Sequence, residues 1–142
     1  MATIKLIKQK MKDSFLPVRI SATNGDFSGS TEAKIYPDEF KYFAQRLTDF
    51  PREAGDQVFF SSGGDDDAWE SYLYLGIQTL ESTGGLALQV RLRRNEPEQC
   101  AGGAAFFIPL CKEEINCFGR ELVEWLVSDR EDISYEFSSP QA

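Results

Sequence analysis

The residues most suggestive of chemistry lie in the run Gly63-Gly64-Asp65-Asp66-Asp67, which sets three carboxylates side by side after two glycines. Adjacent acids can hold a hard cation. A calcium loop, however, spaces its ligands at alternate positions and closes with a bidentate glutamate. Here the acids are consecutive and no such frame follows, so no metal is expected. The loop reads as a solvated connection, with contact to a partner as its functional alternative. The sequence contains no histidine. That removes the Ser-His-Asp and Cys-His relays and the commonest metal ligand. Cys100, Cys111 and Cys117 form no CxxC pair. A cysteine-only zinc site would need closer pairs. Three reduced thiols are expected, at least one of them buried. No glycine loop with a following lysine is present to cradle phosphate. The apolar strand faces carry no embedded acids for proton transfer. The sequence therefore nominates no catalytic, cofactor-binding or metal-binding residue, and the expectation is a protein that is not an enzyme.

Chemistry aimed at a partner is easier to find. The net charge is −8 and the pI about 4.6. Such a surface repels nucleic-acid phosphate and suits a basic protein. From Glu53 to Glu70 there are six acids and no base, and from Glu113 to Glu136 eight acids against Arg120 and Arg130. Tyr72, Tyr74, Gln89, Arg91 and Arg93 fall on the outward side of one hairpin. Tyrosine and arginine are enriched at interface hot spots. The plain alternative is a wet face with cross-strand Tyr–Arg packing. The partner-binding candidates are Asp65, Asp66, Asp67, Tyr72, Tyr74, Arg91, Arg93, Glu121 and Glu124.

These residues need elements to hold them. The stretch from Phe27 to Pro51 alternates with period two, with Phe27, Gly29, Thr31, Ala33 and Ile35 on the buried face. The period then changes: Phe40, Phe43, Ala44, Leu47 and Phe50 make one helical stripe. Pro37 suits the first helical position, Asp38 and Glu39 suit the positive end of the helix dipole, and Pro51 ends the run. Asn24-Gly25-Asp26 marks a tight turn after the strand carrying Leu16, Val18, Ile20 and Ala22, where Pro17 argues for an edge or a bulge. Thr3–Lys8 reads as an edge strand guarded by Lys5, Lys8, Lys10 and Lys12. Strands follow at Gln57–Ser62, Ser71–Glu81, Leu86–Arg93 and Ala104–Leu110. A second helix carries Ile115, Phe118, Leu122, Trp125 and Leu126 inward, with Gly119 inside it. No internal repeat at a fixed period is apparent.

With 142 residues and 42% hydrophobic content, one domain spanning 1–142 is expected. The predicted class is α+β: a predominantly antiparallel sheet of about six or seven strands with two helices packed on one face, in the order βββ-α-ββββ-α. A curled, sandwich-like arrangement is the alternative. Residues 129–142 read as an acidic tail with one short strand around Ile133, Tyr135 and Phe137, then disorder. No apolar run approaches the roughly 20 residues of a membrane helix, and the lysine-rich start lacks the apolar region of a signal peptide. A cytoplasmic location without membrane contact is expected.

The pattern LPVRISATNGDFSGSTEAKIYPDEFKYFAQRL, then YLYLGIQTL and GGLALQVRL, then FGRELVEWL resembles short bacterial immunity proteins of the WapI-like type and related uncharacterised families. The resemblance spans roughly Leu16 to Leu126. It implies a protein encoded beside a secreted toxin that neutralises it by binding, and it supplies no catalytic motif. A non-enzymatic binder of a basic toxin, within a toxin–antitoxin pair, is the leading expectation. The alternatives are a small-ligand-binding or weakly enzymatic domain with a pocket between sheet and helices, and a structural homo-oligomer such as a homodimer.

Overall fold

The computed structural model describes residues 2–64, 71–80, 84–95 and 98–138. The elements run β1 (Ala2–Lys8), β2 (Leu16–Thr23), β3 (Ser28–Ile35), α1 (Pro37–Thr48), β4 (Val58–Gly63), β5 (Ser71–Thr79), β6 (Leu86–Arg94), β7 (Gly102–Leu110), α2 (Lys112–Val127) and β8 (Asp132–Phe137). The class is α+β and all strand pairing is antiparallel.

The arrangement departs from one sheet of six or seven strands. Among the described residues eight strands form two sheets of four, ordered β3-β2-β1-β8 and β4-β5-β6-β7. Alternation along each strand specifies which face is buried but not which strand lies beside it, so one sheet and two are indistinguishable from periodicity. The helices pack on each other, α1 also on β4 and α2 also on β8.

Local chemistry accounts for the elements. Asn24 closes the β2–β3 hairpin: its Oδ1 accepts from the backbone N–H of Asp26 at 2.9 Å and of Phe27 at 2.8 Å, and Gly25 takes a φ of 98°. Phe27, expected on the buried face, is 63% exposed because this turn holds it outside the strand. Pro37 opens α1 with Asp38 and Glu39 in the first turn. The C-terminal end of each helix is closed by a distant side chain. Asn116 Nδ2 donates to the carbonyls of Leu47 at 2.8 Å and Phe50 at 3.0 Å, below α1. Lys8 Nζ donates to the carbonyls of Trp125 at 2.6 Å and Ser128 at 2.7 Å, below α2. Both add a side-chain donor at a helix C-terminus, where the Leu47 and Trp125 carbonyls also accept from the backbone N–H groups of Phe50 and Ser128.

Lys8 thus belongs to no guarded edge. β1 lies inside its sheet, between β2 and β8. Burial lowers the Lys8 pKa, against the raising influence of Asp129, and Arg130 lowers it further. β2 is also interior; β1 ends opposite Val18, and the Pro17 carbonyl accepts from Gln9 just past it. The missing N–H of Pro17 therefore falls beyond the β1 ladder.

One apolar core joins both sheets and both helices. Phe40, Phe43, Leu47, Phe118, Leu122 and Trp125 are all buried, as their helical stripe predicts. Phe40 meets Phe60 of β4 edge-on at 5.1 Å and Trp125 of α2 at 6.3 Å, so rings fill the space between α1, α2 and β4. β3 is the seam between the sheets. The buried Thr31 donates its hydroxyl to the Arg93 carbonyl at 3.1 Å, and Ser62 Oγ donates to the Lys34 carbonyl at 2.7 Å.

The topology contains a duplication. β1-β2-β3-α1-β4 and β5-β6-β7-α2-β8 are the same βββαβ unit, and each gives its last strand to the other unit's sheet. The helix regions align residue for residue: IYPDEFKYFAQRL from Ile35 to Leu47 against LCKEEINCFGREL from Leu110 to Leu122. Phe43, Ala44 and Leu47 take the places of Phe118, Gly119 and Leu122. A Cβ at Gly119 would stand 2.7 Å from Leu47 Cβ and 2.8 Å from the Ala44 carbonyl oxygen. The helices therefore meet closely at Ala44 and Gly119, the two small residues at equivalent positions. The strands that flank the helices have diverged in sequence, which hides this repeat from a search at one fixed spacing.

Candidate functional site

The outer face of the second sheet carries the side chains with interaction chemistry. Its register sets Tyr74 opposite Arg91 and Tyr72 opposite Arg93, so the four sheet candidates do come together. Gly76 lies two residues beyond Tyr74 on the same face of β5. A Cβ there would sit 2.6 Å from the Tyr74 hydroxyl and 2.8 Å from Cε1. The Tyr74 ring thus lies flat over the backbone of Gly76, a place only glycine leaves open. An aromatic covering a strand glycine supplies the packing that the glycine lacks.

Two neighbours hold the ring. Phe59 of β4 stacks on it with centroids 5.7 Å apart and planes 13° from parallel. The Arg91 guanidinium lies 5.2 Å from the ring centroid, within cation–π reach. With its amide oxygen turned toward Arg91, Gln89 accepts from Nε at 3.0 Å and Nη2 at 2.9 Å. Phe59, Tyr74, Arg91 and Gln89 make one connected row across three strands. Phe59 is 63% exposed and Phe107, opposite Gln89 on β7, is 38% exposed. Arg93 is oriented separately, donating from Nε to Asn95 Oδ1 at 3.1 Å.

Phe59 is a candidate that the partner-binding residues nominated from sequence do not include. Its signal is present: in Val58-Phe59-Phe60, alternation turns the middle residue outward. Gly76 is a second. A glycine inside a strand is itself a sign of close approach.

The remaining candidates lie elsewhere. Asp65, Asp66 and Asp67 fall outside the described residues. Glu121 and Glu124 are exposed on α2, whose packing partners are α1 and β8, so they belong to another surface. Beside that surface, Tyr135 of β8 packs on Phe118 and Phe137. Burial first, then the negative fields of Cys117, Glu121, Glu114 and Cys111, push its phenol up to about 12. Cys111 and Cys117 are free and both exposed, and the side chain of Cys100, the third thiol, lies outside the described residues. They lie on the solvent side of α2, where Cys117 Sγ accepts from Arg120 at 3.2 Å. Among the described residues no three acidic or thiol side chains gather in a way that could hold a metal. Among the described residues no helix is long and apolar enough to cross a membrane.

Neither the family models, the curated proteins nor the solved structures contain a match to this chain.

Proposed function

We propose that this chain is a non-enzymatic binding protein of the immunity type, which neutralises a basic toxin by covering it in the cytoplasm. The carrying observation is the row Phe59–Tyr74–Arg91–Gln89 on the outer face of the second sheet. Binding costs free energy wherever mobile side chains must be ordered. These side chains are already ordered by one another and by Gly76, so that cost falls. Aromatic rings and arginine are the side chains that most often carry binding energy. The acidity of the rest of the molecule then supplies attraction at a distance, with a net charge of −8.

The test begins with the complex recovered from the native host and rebuilt from its two purified proteins. The expected partner is basic. Its association rate should fall steeply from low to physiological salt, while the dissociation rate changes little. An acidic partner, or association indifferent to salt, would overturn this function.

A further inference from the structure

We propose that the cleft between the first turn of α1 and β4 receives an arginine side chain of the partner protein. This rests on the reading of the chain as a binder of a basic protein, and it adds a second contact site with a defined ligand.

The cleft has a volume of about 480 Å³ and opens beside the Phe59–Tyr74 stack. Its floor is the buried pair Phe43 and Phe60, with ring centroids 6.0 Å apart. Its walls are Tyr42, 65% exposed, and Phe59, 63% exposed. Asp38 and Glu39 stand at its rim, both exposed. Neither carboxylate makes an ion pair among the described residues. Phe59 lines the cleft and also stacks on Tyr74, so the cleft is continuous with the proposed binding face.

The lining discriminates among ligands. An anion would meet two carboxylates. An uncharged apolar group would strip water from them without replacing it. A cation restores what the carboxylates lose. Of the two long cations, arginine fits better. Its planar guanidinium can lie along an aromatic wall and present paired N–H donors to a carboxylate at its edge. A lysine ammonium offers a point charge and no plane. Pro37, at the first helical position, has no N–H to offer, so this helix start lacks one donor that an anion site would use.

The experiment uses the full chain and three blocked tripeptides, acetyl-Gly-Xaa-Gly-amide, with arginine, lysine or citrulline at the centre. Ring resonances of Tyr42 and Phe59 are followed by NMR at low salt. The arginine peptide should shift both rings and saturate in about the millimolar range, as expected for a single side-chain contact. Lysine should bind at least about threefold more weakly, and citrulline, which keeps the shape but not the charge, should show no saturation. Asp38→Asn combined with Glu39→Gln should weaken the arginine peptide at least about tenfold. Tyr42→Ala, a change at an exposed site, provides a second test should the double variant melt early, and should weaken it about threefold or more. Arg19→Gln, on the other sheet, should leave it unchanged. Citrulline binding as well as arginine, or both cleft variants binding like the parent, would overturn the proposal. If no basic partner is recovered yet the peptide titrates as expected, the toxin-binding function fails and the cleft stands. If a basic partner is recovered and the peptide fails to bind, only the cleft is lost.

Discussion

The two sheets are equivalent frames, each completed by the last strand of the other βββαβ unit, and their outer faces have diverged. On the first sheet that face carries Lys5, Arg19, Ser21, Ser30, Glu32 and Ser134. Arg19 stands opposite Glu32, Ser21 opposite Ser30, and Lys5 between Ser21 and Ser134. Small hydroxyls and paired charges hold water well and give a partner little to grip. On the second sheet the same layer holds Phe59, Tyr74, Gln89, Arg91 and Phe107. Inside, the units agree: Phe43 answers Phe118, Leu47 answers Leu122, and Val58 answers Ile133, all buried. Packing constrains the inner positions of both units alike, because each helix has to fill the same kind of space. Only the outer layer was left open to diverge, and the exposed aromatic and arginine side chains lie on the second sheet, Phe59 from the first unit and Tyr74 and Arg91 from the second.

The largest expected effect tests the inner agreement. Phe43→Ala and Phe118→Ala each remove a buried ring, and each should cost about 3–5 kcal/mol in denaturant melts. Equivalent units predict losses within about 1 kcal/mol of each other. A loss below about 1 kcal/mol at either site would show that its helix is not anchored as its counterpart is.

The next effect tests the outer difference. In the reconstituted complex, Tyr74→Ala should raise the dissociation rate and lower affinity by about 2 kcal/mol or more. Arg19→Ala, on the first sheet, should stay within about 0.5 kcal/mol. Equal effects at the two sites would mean that the aromatic row is cross-strand packing and nothing more.

Smaller still is the effect at the helix contact. Gly119→Ala raises helix propensity by about 1 kcal/mol. Its methyl would press on Leu47 and the Ala44 carbonyl, at 2.7 and 2.8 Å. Overpacking costs about 1–3 kcal/mol, so a net loss of about 1 kcal/mol is expected by thermal or urea unfolding. A gain in stability would show that the two helices can part without penalty.

Much of this was legible in the sequence, for identifiable reasons. The stripe of Phe40, Phe43 and Leu47 and the alternation of Leu73, Leu75 and Ile77 fix the local element and its buried side. So does the outward placement of Tyr72, Tyr74, Arg91 and Arg93, since register in a short hairpin follows from its pattern. What was hidden depends on long-range pairing. Nothing in Ile133, Tyr135 and Phe137 says that β8 crosses to lie beside β1, and without that the lysines of β1 read as an edge. Lys8 capping α2 is a contact between distant parts of the chain. The lie of Tyr74 over Gly76 is likewise a side-chain choice that alternation leaves open.

The smallest effect returns to the two units, at Phe60 and its counterpart Tyr135. Phe60 is buried and cannot titrate. Tyr135 is half-buried, with its phenol pushed up to about 12, first by burial and then by Cys117, Glu121, Glu114 and Cys111. The folded state therefore favours the neutral phenol more than the unfolded chain does, where the usual value is about 10. A raised pKa gives stability that is fully present below the unfolded value and is lost as pH rises through the folded one. The loss should fall between about pH 10 and 12. It should be on the order of 1 kcal/mol, less than the whole shift would give, because the ring is partly wet. Lys8 runs the other way: its lowered pKa means that the folded state resists the charge, so its own contribution improves as pH rises toward about 10. Comparing the parent with Tyr135→Phe cancels the lysine and isolates the phenol. Urea melts across this range should show the parent losing about 1 kcal/mol more than the variant, which then behaves as the unit with Phe60 does. Identical slopes for the two proteins would mean that the ionised phenol is as well solvated in the fold as in the open chain. The packing of Tyr135 on Phe118 and Phe137, at 5.2 and 4.7 Å, argues that it is not.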